Sequence, residues 1–569
     1  MTVTELRSGP FCSHKELLRT PKPVWIIGLD GMDPELLQHW AAAGLLPNLA
    51  TCMASGVSGR LRSTYNQLTA SAWATAATGA QPGGHGVYNF QERVPGEYRL
   101  ALPTAADRKL PAVWEIASAA GLQSTVARVP LSYPLRPFNG LGVVDWLAPS
   151  PESPGFAHPA DLGAQLVGRF GREFWLEGEG GCGLHCDPHD RDSVLRQLHS
   201  DTETTCRLFS HLHALQPADL FFGVIREADI GGHLLWPHHA ACDRHSRGSD
   251  PLLSVYQHID RCLGDLLDEV GTDVNLLFLS DHGMGASPLG PSCVRPLLQA
   301  AGLMVAQGTP MPPLPSRMKA AVCKHIPWDL RRRLRPLSSS ARSQGFTALH
   351  LAGIDFSQSL AFTYLAMMTG EIWLNLKGRD PLGMVEPGPQ QEALEEEITR
   401  LFMSATDPVS GVPAVTEVRR GSELFAGPNA GIFADLHLGF VEEPRISGLS
   451  TLLPDGSRVT VNIAPDSPLL WLGSHRPHGI FVACGPDIIP TDIPVEGTLA
   501  DIAPTALALL GVPIPPHMDG HVLEHIMAPR IRPHVREYEV AAACDSIQPD
   551  YAPEDLERIE ARLGALGYL

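Results

Sequence analysis

Residues 24–30 read V-W-I-I-G-L-D, and residues 275–282 read N-L-L-F-L-S-D-H. Each is a short apolar run that stops at an acidic residue. Unbroken runs of this length suit strands buried on both faces; a strand with one wet face would alternate. H-G-I-F-V-A-C-G from His478 and S-T-V-A-R-V-P from Ser124 read the same way. Helical patterns lie between them. P-E-L-L-Q-H-W-A-A-A-G (34–44) and D-I-A-P-T-A-L-A-L-L-G (501–511) end in glycine, and P-A-V-W-E-I-A-S-A-A (111–120) is followed by Gly121. Leu252, Val255, Ile259, Leu263, Leu266 and Leu267 fall at helical spacing over residues 251–270. Buried strands alternating with helices predict an α/β fold, a mostly parallel central sheet between helical layers.

A chain of 569 residues exceeds one minimal core. From about 295 to 460 the texture changes. Basic, proline-rich text (R-R-R-L-R-P-L-S-S-S-A-R) gives way to E-I-W-L-N-L-K-G-R and the acidic helix Q-E-A-L-E-E-E-I-T-R-L-F. Candidate site residues lie on both sides of this stretch, so it reads as an inserted cap or substrate region. The expected organisation is an N-terminal tail (1–22), a catalytic core (23–294 and 461–530), the insert (295–460) and a C-terminal extension (531–569). In the extension, P-E-D-L-E-R-I-E-A-R-L-G-A-L reads as a helix docking by its Leu and Ile residues.

A net charge of −19 has the wrong sign for gripping a nucleic-acid polymer. No run of 18 apolar residues occurs, so no membrane span is expected. The first 22 residues lack a signal-peptide core, and 11 cysteines, an odd count, are scattered without a repeat. Reduced thiols and a cytoplasmic location are the expectation. Cys182 and Cys186 read as part of a polar loop rather than a metal site, and the triple arginine as a solvated helix face. Nothing in the text indicates an oligomeric state.

The chemistry concentrates at a few places. T-A-S-A-W-A-T-A-A-T starts at Thr69 and ends before Gly79, 39 residues after Asp30. A hydroxyl opening a helix of small residues, downstream of an aspartate at a strand end, suits a nucleophile held against a metal. Alone, Thr69 reads more often as a helix cap. Asp229 and His233 in D-I-G-G-H share a face if that segment is helical. Asp281 and His282 are adjacent, so they converge only where the strand has ended and the chain turns at Gly283. His475 lies in G-S-H-R-P-H-G. Asp30 and Asp281 fall just past strand carboxyl ends, where open α/β sheets build their sites. Three aspartates and three histidines, shared between two divalent ions, give three protein ligands to each. That suits catalytic zinc, with manganese the alternative on ligand type. Two divalent ions and three carboxylates sum to about +1, a place for an anion in an acidic protein.

These residues, in this order, resemble the alkaline phosphatase superfamily. The nearest branch is the type I phosphodiesterase/nucleotide pyrophosphatase group, with its predicted phosphohydrolase/phosphomutase proteins. The resemblance spans nearly the whole chain: G-L-D-G-M-D (28–33), T-A-S-A-W-A-T-A-A-T-G (69–79), P-G-G-H-G-V-Y (82–88), V-P-L-S-Y-P (129–134), N-L-K-G-R (375–379), H-R-P-H-G-I (475–480), D-I-A-P-T (501–505) and M-D-G (518–520). It implies an alkaline-phosphatase-like fold. It places Asp30, Thr69, Asp281 and His282 on one metal, and Asp229, His233 and His475 on the other. It also implies a phospho-threonine intermediate later hydrolysed by water.

Three positions depart from the family pattern. Ser71 stands where a proline is common, which makes it a reserve nucleophile. Phe90 stands where diesterases of the group place an asparagine that holds a phosphate oxygen, leaving Asn89 beside it as the substrate-binding candidate. His478 stands where an acidic residue is common. The sulfatase-type C/S-x-P-x-R segment is absent from the nucleophile position. A +1 site with a threonine nucleophile favours a small phosphodiester or nucleotide-pyrophosphate-type metabolite. A phosphomutase or phosphomonoesterase is the alternative, with Asn375, Lys377 and Arg379 as conceivable phosphate holders, although a surface strand with ordinary charges is the stronger reading of those three. A non-catalytic phosphate-binding protein is the third reading.

Overall fold

The computed structural model describes residues 21–145, 147–175, 184, 186, 190–241, 250–306, 353–364, 370–463 and 473–536. The tail before residue 21, Cys182, the triple arginine and the helix expected near the chain end lie outside the described residues. Nine strands form one sheet, in the spatial order Val495–Thr498, Val57–Arg62, His478–Cys484, Asn275–Leu279, Val24–Leu29, Leu220–Ile225, Ser124–Ala127, Gly140–Val143 and Ala157–His158. Only His478–Cys484 and the edge strand Ala157–His158 run against the rest, so the sheet is mostly parallel, as expected. The three middle strands are buried at every position. That is why they read as unbroken apolar runs. Gly28 pairs with both Leu279 and Val224, so these strands finish level at their carboxyl ends.

Helices cover both faces. Phe222 meets Trp73 and Trp114 on one side, while its neighbour Phe221 meets Phe209 and Trp25 on the other. Thr69–Thr78, Val113–Ala119 and Ile502–Leu509 pack together in the first layer; Pro47–Ser55, Arg191–Leu215 and Pro251–Val270 form the second. The helix Pro251–Val270 matches its sequence pattern. Asp250 caps it by accepting from the Leu252 and Leu253 amides, and Gly271 ends it. The helix expected from 111 starts later, at Val113, because Glu115 turns back to accept the Ala112 N–H at 2.7 Å.

A second hydrophobic cluster, separate from the one around the central sheet, runs from Leu289 to Leu449. It fills the space between a four-stranded antiparallel sheet, ordered Ala361–Phe362, Gly370–Leu374, Leu436–Phe440 and Val415–Arg420, and the helix Pro389–Met403. Leu100 from the first half of the chain packs against it, as do Val461 and Ile463.

The surface-strand expectation for Asn375, Lys377 and Arg379 is corrected in part. Gly370–Leu374 is buried throughout, and Glu371 is only 3% exposed because it accepts the Tyr88 hydroxyl at 2.6 Å. Asn375 is spent on the carbonyls of Phe356, Ser359 and Leu382, and Arg379 on Asp435. Lys377, on the surface, pairs with Glu386.

Candidate functional site

Asp30, Asp229 and the Asp281–His282 pair come from three adjacent strand ends. Asp30 follows Leu29 directly, and its N–H donates to the Ile225 carbonyl at 2.9 Å. Ser280 ends the Asn275–Leu279 strand: its hydroxyl donates to the Met32 carbonyl and accepts the Ile480 N–H. The turn that follows brings the side chains of Asp281 and His282 to one place. Asp229 and His233 lie one turn apart on the helix Glu227–Ala241, as their spacing predicts. His475 arrives differently. It sits opposite Met284 in the antiparallel pair Gly473–Arg476 with Gly283–Ala286. The next strand runs against its neighbours, so it starts at the edge where they finish.

These six residues form two buried groups, Asp30–Asp281–His282 and Asp229–His233–His475, each with its ligand atoms within 4.8 Å of one another. His282 Nε2 lies 3.3 Å from Asp281 and 3.8 Å from Asp30. Asp229 Oδ1 lies 3.2 Å from His233 and 3.5 Å from His475. It is also 4.0 Å from His282, so the groups adjoin.

The surroundings orient each donor. Nδ1 of His233 meets the Gly473 carbonyl at 3.0 Å, that of His475 the Gln67 carbonyl at 2.5 Å, and that of His282 the Gly283 carbonyl at 3.1 Å. A carbonyl only accepts, so each Nδ1 carries the proton and each Nε2 turns a lone pair inward. The carboxylates follow the same scheme. Asp30 Oδ2 accepts from Trp73 at 2.9 Å, and Asp281 Oδ1 accepts the Gly31 N–H at 3.2 Å. Their other oxygens, and Asp229 Oδ1, are buried without a hydrogen-bond partner.

This arrangement is unfavourable until a cation enters. Burial, then the charges of Asp281 and Asp229, push the Asp30 carboxyl well above its ordinary range. Burial and Asp229 push Asp281 up to about 7. Burial and His475 hold His282 far below the ordinary imidazole. With both Nδ1 atoms protonated, the Nε2 lone pairs of His233 and His475 face each other across 3.0 Å. Orphaned carboxylate oxygens and opposed imidazole lone pairs are what divalent-cation ligands look like before binding.

Thr69 faces this centre. It is the first residue of the helix Thr69–Thr78. Its Oγ1 lies 3.3 Å from His282 Nε2. Ser71 is bound elsewhere, its hydroxyl donating to Asn66 at 2.8 Å and to the Leu68 carbonyl at 3.0 Å. Asn89 is not drawn into these contacts: its Oδ1 accepts the Phe90 N–H at 2.6 Å, and it lines a pocket with Tyr88 and Glu371. Half-buried His478 opens its strand opposite Arg62 and belongs to a surface cluster with Arg60 and Glu496.

Three contributors were missed in the sequence. Trp73 holds Asp30; a lone indole among small residues, four past Thr69, was the available signal. Gly31 donates to Asp281 at φ 67, where a Cβ would stand 2.8 Å from Asp229 Cβ. Gln67 contributes only a carbonyl, which leaves no trace in residue type.

Residues 24–313 match the family model described as type I phosphodiesterase / nucleotide pyrophosphatase, which is just over half of the chain. The chain belongs to this family. It is therefore a hydrolase of the phosphodiesterase/pyrophosphatase class, within the alkaline phosphatase superfamily. A search of curated proteins returns no match. Among solved structures, the chain is similar to phosphonoacetate hydrolase from Sinorhizobium meliloti 1021 in complex with phosphonoacetate, at 15% identity and a TM-score of 0.49, over 86% of this chain and 96% of that one. It is also similar to human ectonucleotide pyrophosphatase / phosphodiesterase 5, at 14% identity and a TM-score of 0.47, over 89% of this chain and 100% of that one. Membership of this metal-dependent family agrees with the two Asp/His groups. No helix among the described residues is long and apolar enough to cross a membrane.

Proposed function

We propose that this phosphodiesterase-family hydrolase cleaves a small phosphodiester or nucleotide-pyrophosphate-type metabolite with two divalent ions, zinc or alternatively manganese, and Thr69 as nucleophile. Asp30, Asp281, His282 and Thr69 would hold one ion, and Asp229, His233 and His475 the other. Such a pair neutralises the buried carboxylates, lowers the pKa of a bound hydroxyl and polarises the leaving oxygen. Thr69 gives up its proton and bonds to phosphorus as the P–O bond to one half of the substrate breaks and that half leaves, taking up a proton where it departs as an alcohol. Water then cleaves the bond to threonine, releasing the other half as its phosphomonoester and restoring the Thr69 hydroxyl. The helix that Thr69 opens turns its positive end toward the phosphoryl group.

One observation carries this reading: three carboxylates each leave a buried oxygen without a partner, and the Thr69 hydroxyl faces the same centre. Such a complete set weighs against a non-catalytic phosphate-binding protein. The internal bonds of Asn375 and Arg379 weigh against their holding a phosphate for a mutase. Loading the protein with zinc or manganese, and assaying bis-p-nitrophenyl phosphate, p-nitrophenyl phosphate and a hexose phosphate, tests the proposal. Diester turnover should dominate; isomerisation of the hexose phosphate alone would contradict it.

A further inference from the structure

The loop between the strand Val57–Arg62 and the helix Thr69–Thr78 presents two groups to the Asp/His centre: the Gln67 carbonyl, which orients His475, and the Thr69 hydroxyl. One side chain is bonded to residues on both sides of that pair. Asn66 Oδ1 accepts the hydroxyls of Thr64 and Ser71, each at 2.8 Å, and those two hydroxyls lie 3.0 Å apart. Asn66 Nδ2 donates to the Tyr88 carbonyl at 2.5 Å, which fastens the loop to the segment P-G-G-H-G-V-Y. Thr64 and Ser71 are buried, so water does not compete for their hydroxyls. The backbone turns tightly inside this ring. The Gln67 N–H donates to the Thr64 carbonyl at 3.0 Å, and Gln67 itself is left-handed at φ 53.

A non-glycine residue keeps such a conformation only where its surroundings fix it. A side-chain amide is planar, with its acceptor and its donors at opposite corners. Bonds at both ends therefore fix its orientation, and the hydroxyls before Gln67 and after Thr69 close on the same oxygen. We infer that Asn66 is a positioning residue: its amide sets the Gln67 carbonyl and the Thr69 hydroxyl together against the two Asp/His groups. Without that amide, Gln67 relaxes toward ordinary backbone, and the carbonyl and the hydroxyl shift as one. The effect on turnover rests on the hydrolase reading above; the effect on His475 does not.

Two measurements on the zinc-loaded, full-length protein test this. In Asn66→Ala, kcat for bis-p-nitrophenyl phosphate, counted per zinc-loaded chain, should fall at least about tenfold while KM stays within about threefold, because a misplaced nucleophile costs rate rather than binding. On transfer of zinc to a chromogenic chelator, one of the two ions should leave at least about tenfold faster, because His475 is no longer held by the Gln67 carbonyl. Loss of folded protein alone moves neither figure, since both count only loaded chains. Asn66→Ala combined with Ser71→Ala should lie within about twofold of Asn66→Ala alone, as both changes open the same ring. Losses that multiply would overturn the shared role. Should Asn66→Ala not fold, Ser71→Ala takes its place, with both figures moving in the same directions. An unchanged kcat, a change confined to KM, or unchanged release of both ions overturns the inference while leaving the hydrolase reading intact. If the unaltered protein turns over no diester, the hydrolase reading fails and zinc release alone decides. Faster release of one ion then supports the inference, and unchanged release, or no ion held, overturns it.

Discussion

His475 Nδ1 donates to the carbonyl of Gln67 at 2.5 Å, and Gln67 presents that carbonyl from a left-handed backbone with φ 53. The contact ties the last ligand in the sequence to the loop that ends at Thr69. A non-glycine residue in this conformation costs roughly 1–2 kcal/mol, which glycine avoids. Gln67→Gly should therefore keep two metal ions per chain and unfold within a few degrees of the unaltered protein. Gln67→Val, β-branched and ill-suited to positive φ, should lower both metal content and Tm. Elemental analysis beside thermal unfolding reads both outcomes; full metal content in Gln67→Val would contradict the role given to this carbonyl.

Gly31 is constrained twice, by φ 67 and by a Cβ position 2.7 Å from Asp229 Cα. Neither contact is the far end of a flexible side chain. Gly31→Ala should push apart the turn that holds Asp281 and the helix that carries Asp229. The expected cost is at least about 2 kcal/mol, together with loss of metal from both groups. Urea unfolding and metal analysis check it; an unchanged midpoint would show that the helix yields freely.

The buried carboxylates predict a reversal of sign. Without metal, Asp30, Asp229 and Asp281 repel one another, so chelation should lower Tm by several degrees. Asp281→Asn removes one charge and keeps the acceptor for the Gly31 N–H. It should raise Tm of the metal-free protein and lower Tm of the metal-loaded one. Scanning calorimetry with and without chelator tests this, and a shift of the same sign in both states would rule it out.

Burial holds His437 down at about 4, against an ordinary imidazole near 6.5. Between those values the unfolded chain binds a proton that the folded one refuses. Stability is therefore complete above about 6.5 and falls as pH drops toward 4, with a slope near 1.4 kcal/mol per pH unit from this residue. His437→Gln should reduce that slope in urea titrations from pH 4.5 to 6.5. An identical slope would show that His437 protonates as easily in the fold as in the coil.

The central sheet was legible because its strands are buried on both faces and so carry no polar alternation. The helix over 251–270 was legible from its apolar periodicity. Asp229 and His233 were legible because one helical turn converts a spacing of four into proximity. The insert was harder. Asn375 reads as part of a surface strand until the carbonyls of Phe356, Ser359 and Leu382 are seen to take its amide. The outer contacts of the site were illegible for a different reason. Gln67, Gly473 and Gly283 act through carbonyls, and a backbone group is the same for every residue type. Thr69 by itself reads as a helix cap, and only its place 3.3 Å from His282 Nε2 sets it beside the two Asp/His groups.

The central claim is that the hydroxyl facing His282 at 3.3 Å attacks phosphorus. Rapid acid quench of the metal-loaded protein during turnover of a 32P-labelled diester, followed by phosphoamino-acid analysis, tests it most directly. Label should appear on threonine in the unaltered protein and in Ser71→Ala, and vanish together with turnover in Thr69→Ala. Undiminished turnover in Thr69→Ala, or label found on serine, would contradict the account.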